Sequence, residues 1–178
     1  MKKPEIKGPK AKGRKSGKAA GSFKRMWHQP AEAEYPKIYA AEEEIMNILK
    51  AKLGKRLVPG CHPFFSDASY FLTPLVHAKE IIANSRAAMS EYAYTEEVFD
   101  CDDFALVMKA NFCQAAFKEG LRRAPHCFGI LWGNVSPLGG HAINWMITAD
   151  KELWFVEPQT GEVYRPRPKD DGIYFLLI

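Results

Sequence analysis

Four cysteines in 178 residues, Cys61, Cys101, Cys113 and Cys127, are too few to staple a chain of this size, so a disulfide scaffold is excluded. No apolar run approaches the roughly 18–20 residues that a membrane-spanning helix needs. Positive charge opens the chain, but no apolar stretch follows it. No secretory signal is therefore visible, and the expectation is a cytoplasmic protein with reduced thiols, release by lysis or dedicated export being left open. Twelve prolines and 13 glycines are ordinary usage and rule out collagen-like and low-complexity classes. No internal repeat is present. What the chain does have is 47% hydrophobic and 12% aromatic residues, the make-up of one globular domain and too apolar for disorder throughout.

Acids are almost missing from the first stretch. Residues 1–25 hold ten Lys/Arg against Glu5 alone, a net +9, whereas the remainder holds fifteen basic and twenty acidic residues, a net −5. Over residues 1–22 the only large apolar side chain between the lysines is Ile6, which cannot offset chain entropy. The expectation is a disordered basic tail over 1–25 ahead of a single domain over 30–178. Such a tail is a solvated segment or a weak binder of polyanions and nucleic acid. With no aromatic among those basic residues, base stacking has no support.

Periodicity supplies the elements. Ile38, Ala41, Ile45, Ile48, Leu49 and Leu53 recur at helical spacing, with acids early, lysines late and Gly54 as the stop. Thr73-Pro74 reads as a second helix start, with Thr73 as cap and LVHAKEIIANSR after it. Residues 86–98 carry no decisive pattern. A third helix opens at Asp100-Cys101 and runs to Lys118, closed by Gly120. The texture then turns to strands: CFGILWG, HAINWMIT, ELWFVEP, EVYRP and the final IYFLLI, separated by Pro, Gly and Asp turn signals. Helices first and antiparallel strands afterwards is an α+β order.

Chemistry concentrates at two places. Asp100 is a natural N-cap, which puts Cys101 in the first turn of a long helix, where unpaired N–H groups and the helix dipole favour a thiolate. The alternative for Cys101 is a small buried residue on the apolar stripe. Asp102 and Asp103 suit a first helical turn, yet carboxylates beside a thiol raise its pKa, so a histidine or a cation has to counter them. His141 opens a strand on the face of Ile143, Trp145 and Ile147. Glu157 ends the next strand, on the face of Leu153 and Phe155. A three-residue hairpin loop, Thr148–Asp150 or Ala149–Lys151, sets Glu157 opposite His141 or one diagonal step away; a two-residue loop sets them on opposite faces. In the favourable register an acid orients an imidazole, as in a Cys-His-acid triad.

A cysteine at a helix start, a histidine at a strand start and an acid at the end of the next strand resemble the papain/transglutaminase-like superfamily. Asp100-Cys101-Asp102-Asp103-Phe104-Ala105 resembles the nucleophile motif of bacterial transglutaminase-like cysteine proteinases. Gly140-His141-Ala142 and Trp154-Phe155-Val156-Glu157-Pro158-Gln159 resemble the cysteine-protease domain that follows the sugar-binding domain of a fungal agglutinin. The likeness covers roughly residues 95–165. It implies a papain/transglutaminase-like α+β domain, N-terminal helices packed on an antiparallel sheet. It also implies a cysteine peptidase or amidohydrolase acting on a protein or peptide, with Cys101 as nucleophile, His141 as general base and acid, and Glu157 orienting the imidazole. The Cys101 N–H would be one oxyanion donor; no glutamine lies between Gln29 and Gln114, so the papain-type second donor is missing. Gln159 is expected beside the site. Calcium dependence of both relatives implies a calcium position at Asp100 and Asp102, although the thiol chemistry itself requires no cofactor.

Other readings stay open. The same triad serves acyl transfer, deamidation or cleavage of cell-wall peptides, and the fold also serves as a catalytically silent binding module. A tail-driven binder of nucleic acid is the third class. A zinc site from Cys61-His62 and His126-Cys127 fits no compact ligand spacing. His28 and His77 read as surface or satisfied histidines. Trp132, Trp145 and Trp154 read as core, or one of them as the wall of a substrate groove, and Asn144 falls on the strand face opposite His141.

Overall fold

The computed structural model describes residues 35–136 and 139–178, so the basic tail and the start of the expected 30–178 domain lie outside the described residues. Tyr39–Ala41 (β1) pairs antiparallel with Ser69–Phe71 (β2) in a two-stranded sheet. Between them runs the helix Glu42–Leu53 (α1), with Glu42, Glu43 and Glu44 in its first turn and Lys50 and Lys52 in its last, the charge order a helix dipole favours. The apolar repeat predicts helix from Ile38, but Tyr39–Ala41 is a strand. Leu72 N–H donates to the Ile38 carbonyl at 2.8 Å, so strand pairing rather than a helical turn satisfies this stretch.

Leu75–Ala88 (α2) starts at Pro74 without a side-chain cap. Thr73 is not the cap that the sequence predicts. It is buried, and its hydroxyl lies 2.7 Å from Nδ1 of the buried His126; an interior imidazole needs a partner more than a helix start beside solvent does. Cys101–Lys118 (α3) begins in a capping box, with the Asp100 N–H donating to the Asp103 carboxylate at 3.1 Å and the Asp102 N–H to Asp100 Oδ1 at 3.4 Å.

The strands that follow are Phe128–Ser136 (β3), Gly139–Ile147 (β4), Leu153–Val156 (β5), Val163–Tyr164 (β6) and Asp171–Leu177 (β7). They form one antiparallel sheet in the order β6-β5-β4-β3-β7. Its two faces carry two cores. Leu131, Ile143, Trp145, Ile147, Leu153 and Phe155 pack with Ile45, Leu49 and Leu53 of α1. Phe128, Met146 and Val156 pack with Ile81 and Ile82 of α2 and with Phe104, Met108 and Phe112 of α3. The result is an α+β fold with three helices packed on a five-stranded antiparallel sheet. Of the three strand tryptophans only Trp145 is fully buried. Trp132 meets Phe175 edge-on, and Trp154 lies under the Arg165 guanidinium, 3.7 Å from its ring centre. Among the described residues no helix is long and apolar enough to cross a membrane.

Candidate active site

The β4–β5 hairpin brings the histidine and the acid together. Thr148 N–H donates to the Glu152 carbonyl at 3.0 Å and Lys151 N–H to the Thr148 carbonyl at 2.8 Å. The loop is therefore the three residues Ala149–Lys151, with Lys151 at φ 60° in the left-handed position that such loops end on. Asn144 pairs with Val156 and Trp145 with Phe155, which sets Glu157 one diagonal step from His141 on the same face. His141 Nε2 lies 2.8 Å from Glu157 Oε2, both side chains mostly shielded from solvent. A carboxylate only accepts, so Nε2 carries the proton and Nδ1 is left as the basic nitrogen. Glu157 falls one residue beyond β5 and is held by the turn after it. The Gln159 N–H donates to Glu157 Oε1 at 3.1 Å, and the Gly161 N–H to the Glu157 carbonyl at 2.7 Å. Gln159 thus touches the site through its main chain.

Cys101 reaches the same hairpin from the helix side. The main-chain N–H of Ala142, the residue after His141, acts as a donor that favours the Cys101 thiolate. Burial works against that donor, and so do the Asp100 and Asp102 charges; together they push the Cys101 thiol above its ordinary pKa. The two acids are themselves linked. Their mutual hydrogen bond raises Asp102 and lowers Asp100. Neighbouring carboxylates that share one proton behave in this way.

Asp100, Cys101 and Asp102 form the one cluster of three metal-ligating side chains among the described residues. Two carboxylates and a thiol fall well short of the six to eight oxygens calcium takes. The zinc alternative does not form: Cys61, His62, His126 and Cys127 make no such cluster among the described residues. Cys127 is wholly buried and its thiol is pushed up to about 12, and His126 is engaged by Thr73. Asn144 lies on the face opposite His141, as its position in the strand requires, and donates to the Ala105 and Gly129 carbonyls at 3.0 and 3.1 Å, tying α3 to β3. His77 contacts Glu119 at 3.0 Å and Glu80 at 3.4 Å, and His28 lies outside the described residues.

Two features escape sequence reasoning. The Ala142 N–H is a main-chain group, invisible to any motif. The other is the segment before Asp100. Thr95 and Phe99 exchange hydrogen bonds at 2.9 and 2.8 Å across a tight turn, with Glu97 at φ 59°. Tyr94 is 57% and Val98 73% exposed. Exposed apolar and aromatic side chains of this size mark a candidate contact surface. A run of residues with no helical or strand period hid this edge.

A family model described as Agglutinin C-terminal matches residues 70–163, more than half of the chain and a span that contains Cys101, His141 and Glu157. No curated protein sequence matches the chain. Among solved structures, PSL1a in complex with E64 superposes with a TM-score of 0.65 at 24% identity over 79% of this chain. Polyporus squamosus lectin bound to the human-type influenza-binding epitope Neu5Aca2-6Galb1-4GlcNAc gives the same score, identity and coverage. These matches take in 51% and 49% of the two solved chains, so the present chain spans about half their length. At that identity the likeness shows the fold, which is papain-like.

Proposed function

Since the chain belongs to the agglutinin C-terminal family, we propose that it is a cysteine hydrolase that cleaves an amide bond of a peptide or protein through a thioester on Cys101. The observation that carries this reading is the 2.8 Å contact of His141 Nε2 with Glu157, on a hairpin whose next amide, Ala142 N–H, favours the Cys101 thiolate. That contact fixes the tautomer in which Nδ1 is the base. In the reaction Cys101 S–H gives its proton to His141 Nδ1, and the sulfur attacks the amide carbon. The negative charge passes to the carbonyl oxygen, beside the Cys101 N–H at the helix start. As the oxyanion collapses, the C–N bond breaks and the imidazolium donates its proton to the departing amine. His141 then takes a proton from water, the hydroxide attacks the thioester, and the carboxylic acid leaves as Cys101 is regenerated. Glu157 holds the ring and balances its charge while it is protonated. An amine in place of water would give acyl transfer by the same path.

PSL1a forms a complex with E64, and for the present chain E64, an epoxide that alkylates thiolates, becomes the probe. Site-resolved mass spectrometry after E64 or iodoacetamide at pH 6.5, with and without calcium, is the test. The expected result is an adduct on Cys101 that forms faster than on the exposed Cys113, slowed by about 10²-fold or more in His141→Ala. A rate on Cys101 no faster than on Cys113 in either condition overturns the hydrolase and leaves a binding module of this fold. A calcium-dependent rate would assign Asp100 and Asp102 to a cation.

A further inference from the structure

The turn that follows Glu157 comes down on the outer surface of α2 and leaves an open groove of about 530 Å³ between them. Lys79, Ile82 and Arg86 of α2 line it on one side, and Thr160, Gly161 and Val163 on the other. Its size falls within the roughly 300–1,000 Å³ of small-molecule sites.

Arg86 is the residue that needs explaining. Its Nη1 is buried and has no hydrogen-bond partner among the described residues. A shielded guanidinium nitrogen without an acceptor is costly, and folded proteins rarely leave one so. The acids next in sequence to the lining residues pair elsewhere: Glu162 with Arg167 at 2.8 Å, and Glu80 with His77 at 3.4 Å. No ion pair among the described residues includes Arg86 or Lys79.

The arrangement around Arg86 is tight. Gly161 sits at φ +77°, and a Cβ there would meet Arg86 Cγ at 3.0 Å and Ile82 Cγ2 at 3.5 Å, so glycine lets the turn lie on the arginine stem. Thr160 Oγ1 accepts the Glu162 N–H at 3.2 Å, which leaves its own O–H free to donate. The polar groups of the groove are therefore two cations and a hydroxyl donor, set beside the apolar Ile82 and Val163. Donors without acceptors select an anion, and the apolar wall selects a body attached to it.

We propose that this groove binds a small organic anion, a carboxylate or a phosphate monoester on an apolar body, with its acid group on Arg86 and Lys79. The thiol chemistry does not need the site, so its test is independent of the proposed hydrolase. Amide NMR of the full chain, titrated with phenyl phosphate, benzoate, inorganic phosphate and benzyl alcohol, reads the Thr160, Gly161 and Val163 resonances directly. Saturable shifts are expected with phenyl phosphate or benzoate, and which of the two binds tighter identifies the acid. None is expected with benzyl alcohol, and inorganic phosphate should bind more weakly by about tenfold or more. Arg86→Gln should weaken the tighter probe by about tenfold or more, and so should Lys79→Gln, an exposed change that leaves the fold intact. Affinity unchanged in both variants overturns the site, and inorganic phosphate binding as tightly as phenyl phosphate overturns the organic ligand. Absence of saturable shifts with either aromatic acid overturns both.

Discussion

A thiol that lies between two carboxylates begins on the wrong side of its titration. Burial, Asp100 and Asp102 all raise Cys101, and the Ala142 N–H only partly answers them. The acids are there for the helix: Asp100 and Asp103 close the capping box of α3, and a carboxylate in the first turn suits the dipole. Helix stability and thiol activation therefore pull in opposite directions at adjacent residues. Asp102→Asn removes one of the opposing charges while keeping a polar side chain in the first turn. The pH profile of Cys101 alkylation should move to lower pH in this variant, because the thiolate then forms more readily. A profile that stays in place would mean that burial and Asp100, not the Asp102 charge, hold the thiol up. The conflict between acids and thiol was legible in the sequence because Asp100, Cys101 and Asp102 are chain neighbours. The Ala142 contact joins residues 41 apart and was not.

Among the elements, α3 and the β4–β5 hairpin are where sequence and structure agree most closely. Both are set by local rules: an Asp cap with an acid three residues on, and a short loop whose length fixes which residues share a face. The start of α2 is where local rules failed. Thr73 is drawn inward to His126 by a network that joins elements far apart in sequence. Glu119, just after α3, lies 3.0 Å from His77 Nε2 on α2 and 3.4 Å from His126 Nε2. His126 and His77 hold the Glu119 carboxyl down to about 2 against its burial, and Glu119 in turn raises His77. The two shifts describe one interaction seen from its two sides. The lowered carboxyl contributes stability above its unfolded value of 4.5, lost as pH falls towards 2. The raised His77 contributes stability below its unfolded value of 6.5, lost as pH rises through its folded value. Both contributions overlap in mildly acidic solution. Glu119→Gln should therefore lower Tm more at pH 5.5 than at pH 9, the extra loss being on the order of 1 kcal/mol after solvent screening. Equal losses at the two pH values would show that Glu119 acts by packing rather than by charge.

At the scale of the molecule, one sheet serves two cores, and β3 is the strand through which they meet. It pairs with β4 on one side and β7 on the other. Leu131 joins the α1 core and Phe128 the core of α2 and α3. The strands were legible as segments, but not the order β6-β5-β4-β3-β7, in which the last strand returns to pair with the first of the five. Strand order is decided by which apolar faces close together, and no local period records that. Gly129 marks the tightest point of this closure. A Cβ there would collide with the Leu177 carbonyl of β7 and lie 2.6 Å from Cε2 of the buried Trp145. Neither backbone nor a fully enclosed indole has room to retreat. Gly129→Ala should cost about 1–3 kcal/mol, read as a lower urea midpoint. Gly140→Ala, where nothing lies within 4 Å, should stay within about 0.5 kcal/mol. Because both cores rest on β3, tryptophan fluorescence and helical circular dichroism should shift together in Gly129→Ala and still report one transition. If the helical signal keeps its midpoint while the fluorescence falls, the cores are separable, and the helix that carries Cys101 is held in place without the sheet that carries His141.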